Sequence, residues 1–267
     1  MPWVPRGLRN GVLTSRWPRH QDDYFDGFAA AIAVDPTGAA ASDPRVAEAA
    51  RACPTDAITA TGDGVRLDRG RCILCGRCAE IAPEVFTIAT GSAVAAVARD
   101  GLVVGRVAET DEALAAVRAE LAQRVKRLRR SVHIRHVDAG SDGSDEWEVQ
   151  ALVNPVYDIH RLGIFFTASP RHADILLVTG IGTSGMRQPL RRTREAMPEP
   201  VVVIAAGTDA TSGGLVGGGY TAGTGVGAVL DVDVWVPGSP ASPFSLLHGI
   251  LLALGRVPPP RDEGGTK

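Results

Sequence analysis

Three cysteines in the run Cys72-Ile-Leu-Cys75-Gly-Arg-Cys78 constrain the folding of this chain more than any other feature. A loop with two residues between successive thiols can curl so that its sulfurs face three metal atoms of one inorganic cube. A fourth thiol, Cys53, is followed by Pro54, and these are the only four cysteines in the 267 residues. The spacing points to one [4Fe–4S] cluster held by Cys53, Cys72, Cys75 and Cys78. A structural zinc ion is the main rival, although zinc sites usually draw on two separated pairs. A [3Fe–4S] centre needs three thiolates and leaves Cys53 without a role. Four buried structural thiols do not call for this spacing. Arg71 and Arg77 beside the run either raise the potential of the cluster or face water.

Composition agrees with a globular protein in a reducing compartment. The formal net charge is -2 with 22% charged residues, which excludes a nucleic-acid-binding field. The longest apolar stretch, Phe244 to Leu254, is interrupted by His248 and Gly249 and is too short to span a bilayer. The opening MPWVPRGLRNG lacks the apolar core of a secretory signal. The expected location is cytoplasmic, where four cysteines favour metal binding over disulfides.

The patterning changes along the chain. Residues 1–45 read as a basic arm, with Arg6, Arg9, Arg16, Arg19 and His20, plus a short helix from Asp26 to Val34. Residues 46–110 hold every cysteine. They predict a hairpin of Ala57–Ala60 and Val65–Asp68 around Thr-Gly-Asp-Gly, and a further strand at Ala93–Val97. Residues 111–131 predict a linker helix, with Ala113, Leu114, Val117, Leu121, Val125 and Leu128 at helical spacing; acids open it and bases close it. Residues 132–257 alternate strands with helices. The strands are Val132–Val137, Ile175–Thr179, Val201–Ala205 and Val232–Val236; the helices are Trp147–Asn154, Ser184–Ala196 and Phe244–Leu254. Short apolar strands separated by helices imply a parallel sheet covered on both faces. Residues 258–267 read as a disordered tail rich in Pro, Gly and charge.

The cysteine run with its Cys-Pro resembles half of a two-cluster bacterial ferredoxin, in which a distant Cys-Pro supplies the fourth ligand. The upstream triad of such a ferredoxin is missing here, and its downstream Cys-Pro reads Ala82-Pro83, so one complete ligand set remains. A second resemblance rests on Tyr157-Asp158-Ile159-His160-Arg161-Leu162-Gly163-Ile164 and Ala168-Ser169-Pro170-Arg171-His172-Ala173-Asp174. It continues through Leu190-Arg191-Arg192, Met197-Pro198-Glu199-Pro200 and Val236-Pro237-Gly238. These resemble the B subunit of respiratory complex I and the small subunit of energy-converting NiFe hydrogenases and formate hydrogenlyase. Arg9-Asn10-Gly11-Val12-Leu13-Thr14-Ser15-Arg16-Trp17-Pro18 looks like the leading arm of ferredoxin-type subunits in the same complexes.

The resemblance implies an α+β ferredoxin-like domain followed by an α/β three-layer flavodoxin-like domain, docked on a hydrogenase-like or complex I-like large subunit. Members hold a terminal [4Fe–4S] cluster with four cysteines in this second domain. Here the matching positions are Asp142, Asp145, Asp209 and Ser239, hard oxygen donors poorly suited to a cubane. The terminal cluster is therefore expected to be absent. The three aspartates either converge into a proton or cation site or, as the cost of burying carboxylates favours, turn to water or arginine partners.

Gly180-Ile-Gly182-Thr-Ser-Gly185 matches a dinucleotide-binding turn, yet the same segment falls within the second resemblance, where it is a structural loop. The glycine-rich run from Gly213 to Gly227 reads as a surface loop, and His133, His136, His160, His172 and His248 show no metal spacing. The expected function is one-electron relay within an oxidoreductase complex of NADH-quinone oxidoreductase or hydrogenase type. The chain would reach the cytoplasmic face of the membrane through partner subunits. A non-redox scaffold subunit and a soluble ferredoxin–nucleotide oxidoreductase are the alternatives.

Overall fold

The computed structural model describes residues 2–20, 27–35, 43–61, 64–104, 111–126 and 131–257. In chain order the first part carries α1 (Trp3–Asn10), β1 (Ala29–Val34), α2 (Pro44–Ala52), β2 (Ile58–Thr61), β3 (Gly64–Asp68), α3 (Arg77–Ile81), β4 (Phe86–Thr90) and β5 (Val103–Val104). Asp43 caps α2, its carboxylate accepting from the Arg45 N–H, and Pro44 stands at the first helical position. The predicted hairpin is present as antiparallel β2 and β3, with Ile58 opposite Leu67; β5 adds a third strand. Ile32, Val46, Leu67 and Phe86 form a small core that also takes in Cys78.

Two expectations fail here. Residues 29–34 are a strand rather than a helix, paired antiparallel with β4; Asp26 lies outside the described residues. Alanine favours a helix intrinsically, but Ile32 and Ala31 are buried on the strand and the tertiary pairing wins. Ala93–Val97 is not a strand of this half. Ala96 instead exchanges two backbone hydrogen bonds with Trp235 far along the chain, at 2.9 and 2.8 Å.

Helix α4 (Asp111–Val125) follows, as its spacing predicts. Only part of its apolar stripe is used: Leu121 and Val125 are buried against the second core, whereas Val117 is exposed. Residues 127–130 of its expected basic end, including Leu128, and the tail from residue 258 lie outside the described residues.

The second part contains β6 (Val132–Asp138), α5 (Ser144–Ala151), β7 (Ile164–Phe166), β8 (Ile175–Thr179), α6 (Arg187–Glu195), β9 (Val202–Ala206), α7 (Thr208–Ser212), β10 (Val234–Val236) and α8 (Pro243–Ala253). All strand pairs are parallel, in the order β10-β9-β8-β6-β7. Counted within this part the order is 2-1-3-4-5, the flavodoxin-type arrangement. Every residue of β8, β9 and β10 is buried, as strands covered on both faces require. One core lies under the wholly buried α8 and the other on the opposite face around Leu176, Val178 and Leu190. The three-residue β7 is too short to stand out in the sequence.

Candidate metal centre

The two cysteine stretches are brought together by short, irregular backbone. Cys53 closes the carboxyl end of α2, and Pro54 prevents the helix from continuing. In the other stretch Leu74 and Gly76 both have positive φ, 56° and 78°, which curls the loop before Cys78 enters α3. Leucine rarely adopts this conformation, and such strain persists only where its surroundings impose it. The Arg71 Nε donates to the Thr55 carbonyl at 2.9 Å and ties one stretch to the other. Arg71 is thus a strut, a role its sequence position did not reveal.

All four thiols line one cavity, walled on its apolar side by Ile32, Ile58, Leu67 and Ile73. Its free room is about 10 Å³. Cys78 is buried, Cys53 and Cys72 are half-buried, and Cys75 is exposed. Backbone N–H groups already point at sulfur: Ala57 donates to Cys53 Sγ at 3.3 Å and Leu74 to Cys72 Sγ at 3.4 Å. Burial pushes the Cys72 thiol up to about 11, with the neighbouring thiols adding to the shift, and pushes Cys78 up as well. Four thiolates cannot share so apolar a space without a compensating cation. Among the described residues no group of three or more Cys, His, Asp and Glu side chains forms the ligand set of a single metal ion. The donor chemistry — four soft thiols, amide donors and an apolar wall — suits an iron–sulfur cluster.

This loop is clamped to the carboxyl edge of the parallel sheet. The Thr208 hydroxyl on α7 donates to the Cys72 carbonyl at 3.1 Å, and that of Thr211 to the Gly70 carbonyl at 2.6 Å. Arg99 grips both oxygens of Asp68 at 2.8 Å and also donates to the Thr211 carbonyl at 3.2 Å. None of these contacts carries a sequence signature, because the partners lie over a hundred positions apart or depend on a loop path.

Beyond Ile73 lies a second cavity of about 410 Å³. Asp142, Asp145, Asp209 and Ser239 all line it, together with Ile73, Ile181 and Thr183. They stand after β6, β8, β9 and β10, at the crevice where the strand order reverses. The preferred expectation, that the acids disperse to water or arginine, is corrected: they converge, with only Asp142 exposed at the rim. Asp145 is 3% exposed. Burial pushes its carboxyl up to about 7, reinforced by Asp209, Glu146 and Asp142 and partly opposed by the Ala241 N–H, which donates to Oδ1 at 3.0 Å. Asp209 is raised by burial and by Asp142 and Glu146, whereas hydrogen bonds from Ser144 hold Asp142 below the usual carboxylate range. Arginine is not among the charges that shift any of the three.

Glu146 accepts from Ser141 at 2.7 Å and from the Thr179 hydroxyl, which is 3.0 Å from His136 Nε2. Burial lowers the pKa of that histidine. The glycine-rich turn after β8 has a structural use. A Cβ on Gly180 would lie 2.7 Å from the Gly140 backbone, so the turn lets two loops touch.

Residues 143–253 match the family described as NADH ubiquinone oxidoreductase, 20 Kd subunit, and residues 65–120 match a 4Fe-4S single cluster domain. The second match begins after Cys53, which lines the same cavity as the other three thiols. The chain is 39% identical over 145 residues to formate hydrogenlyase subunit 7 of Escherichia coli, covering 54% of this chain and 56% of that protein. The match thus spans little more than half the length of this relative. It is 38% identical over 151 residues to a probable membrane-bound hydrogenase subunit of Pyrococcus furiosus, covering 54% of this chain and 90% of that one. Among solved structures, a chain of a membrane-bound sulfane sulfur reductase, an archaeal respiratory membrane complex, aligns with a TM-score of 0.44 at 28% identity over 49% of this chain and 74% of its own.

Proposed function

Because the chain belongs to the family of the 20 kDa subunit of NADH ubiquinone oxidoreductase, we propose that it is an electron-transfer subunit of a membrane-associated complex. That complex is of the complex I-like or energy-converting hydrogenase type. In this reading residues 46–110 are a ferredoxin-like module, residues 111–131 link it onward, and residues 132–257 dock on a hydrogenase-like large subunit at the cytoplasmic face. Cys53, Cys72, Cys75 and Cys78 would hold one [4Fe–4S] cluster. When bound, such a cluster accepts and passes on single electrons. The protein's own groups supply the rest: Ala57 and Leu74 N–H groups bond to the sulfurs, Ile32, Ile58 and Leu67 keep water from one side, and the Thr208 and Thr211 hydroxyls fix the loop. Oxygen donors at Asp142, Asp145, Asp209 and Ser239 argue for the absence of a terminal cluster.

The observation that carries this reading is the convergence of four thiols from two stretches on one apolar cavity. The test is iron and sulfide analysis of anaerobically purified chain. About four irons per chain are expected, falling sharply in Cys53→Ser and Cys72→Ser. Zinc in place of iron, or full iron loading in Cys53→Ser, sinks the assignment. The loss of thiols from the second cavity supports one other reading, a scaffold subunit whose cluster does not turn over. Redox titration within the assembled complex separates the two: a cluster that is reduced and reoxidised during turnover belongs to a relay.

A further inference from the structure

Helix α1 projects from the molecule with no buried residue. It is rooted just behind: the Thr14 hydroxyl donates to the Pro155 carbonyl at 2.8 Å, the Ser15 N–H donates to the Val156 carbonyl at 2.9 Å, and buried Trp17 packs edge-on against Phe244. Everything from residue 2 to residue 13 is exposed. A two-turn helix containing Pro5 and Gly7 does not hold in water on its own, so its faces call for a covering surface.

Those faces are sorted. At about 100° per residue, Trp3, Gly7, Val4 and Leu8 fall on one side and Arg9, Arg6 and Asn10 on the other. Leu8 is 82% exposed, and Val12 and Leu13 carry the apolar surface onward. Arg6, Arg9, Arg16 and Arg19 give the first 21 residues four arginines, and the first acid is Asp22. A basic, acid-free segment with tryptophan and leucine on one face is matched in charge and polarity to the headgroup layer of an anionic bilayer. Because its charges are spread along the arm, a delocalised lipid charge suits them better than a groove with fixed partners.

We propose that α1 and residues 11–13 form a peripheral membrane anchor. Trp3, Val4, Leu8, Val12 and Leu13 enter the headgroup boundary of an anionic phospholipid surface, and Arg6 and Arg9 pair with its phosphates. This goes beyond attachment through partner subunits and stands whether or not a cluster is bound. The test is co-sedimentation of the full chain with phosphatidylglycerol-containing vesicles and with phosphatidylcholine vesicles. Binding to the anionic vesicles, weakened by salt, is expected. Leu8→Glu should weaken partitioning roughly tenfold or more, and Arg6→Glu with Arg9→Glu should abolish the preference for anionic lipid. Both sites are exposed, so circular dichroism should show the fold unchanged. Brominated lipid should quench fluorescence in the parent more than in Trp3→Phe. Failure of the parent to sediment, equal sedimentation of Leu8→Glu, or loss of a protein partner with vesicle binding intact would each overturn the proposal.

Discussion

Asp145 is a buried carboxylic acid lining the second cavity, and its neighbours rather than its own chemistry decide its charge. Burial disfavours the ionised form, so its folded pKa is raised to about 7. The stability contributed by the neutral carboxyl is fully present below the unfolded value near 3.8 and is lost as pH rises through about 7. Thermal melts should therefore show stability falling between roughly pH 4 and 8. Asp145→Asn keeps an oxygen to accept the Ala241 N–H, and should remove most of that slope and stabilise the protein at alkaline pH by about 2–4 kcal/mol. Gly207 tests the same contact from the other side. Its φ is 90°, and a Cβ there would lie 1.9 Å from Asp145 Oδ2. Gly207→Ala should cost about 2–4 kcal/mol in a denaturant titration.

Among elements, α4 and the cysteine loop show how packing selects from what the sequence offers. The stripe on α4 repeats at helical spacing, but among its described side chains Leu121 and Val125 are covered by the sheet core and Val117 is not. Leu121→Ala should cost about 2–4 kcal/mol, while Val117→Ala should stay within about 0.5 kcal/mol; similar midpoints for the two would contradict this placement. The cysteine loop depends on α7 and on the Asp68–Arg99 pair. Arg99→Met leaves a half-buried carboxylate without its fork and should destabilise by about 1–3 kcal/mol. Hydrogen exchange should quicken at residues 69–76 and stay slow in β8, whose residues are all buried.

Across the whole molecule the small core is built partly from Cys53, Cys72 and Cys78, whereas the cores on the two faces of the parallel sheet contain no thiol. With the proposed cluster bound, chelation of its iron should therefore loosen residues 53–82 and leave exchange in β6, β8 and β9 unchanged; collapse of the sheet on chelation would show that the two parts fold as one unit. The spacing of Cys72, Cys75 and Cys78 was readable in the sequence because it is a property of one short loop, and Cys53 was legible from its Cys-Pro. The hairpin and the strands β6, β8 and β9 were readable too, since each announces itself by its own periodicity. The strand at Ala29–Val34 was hidden because alanine favours a helix until a partner strand is supplied, and Ala93–Val97 was expected as a strand of the first part whereas only Ala96 pairs, with Trp235 in the other half. What the sequence by itself determined was which side chains are candidates for the chemistry: four thiols from two stretches of the first part, and three aspartates and a serine in the second. Only the tertiary structure decided that the oxygen donors share one crevice, separated from the thiols by Ile73. Strand order, a sum of contacts between distant residues, sets that proximity, and no local pattern encodes it.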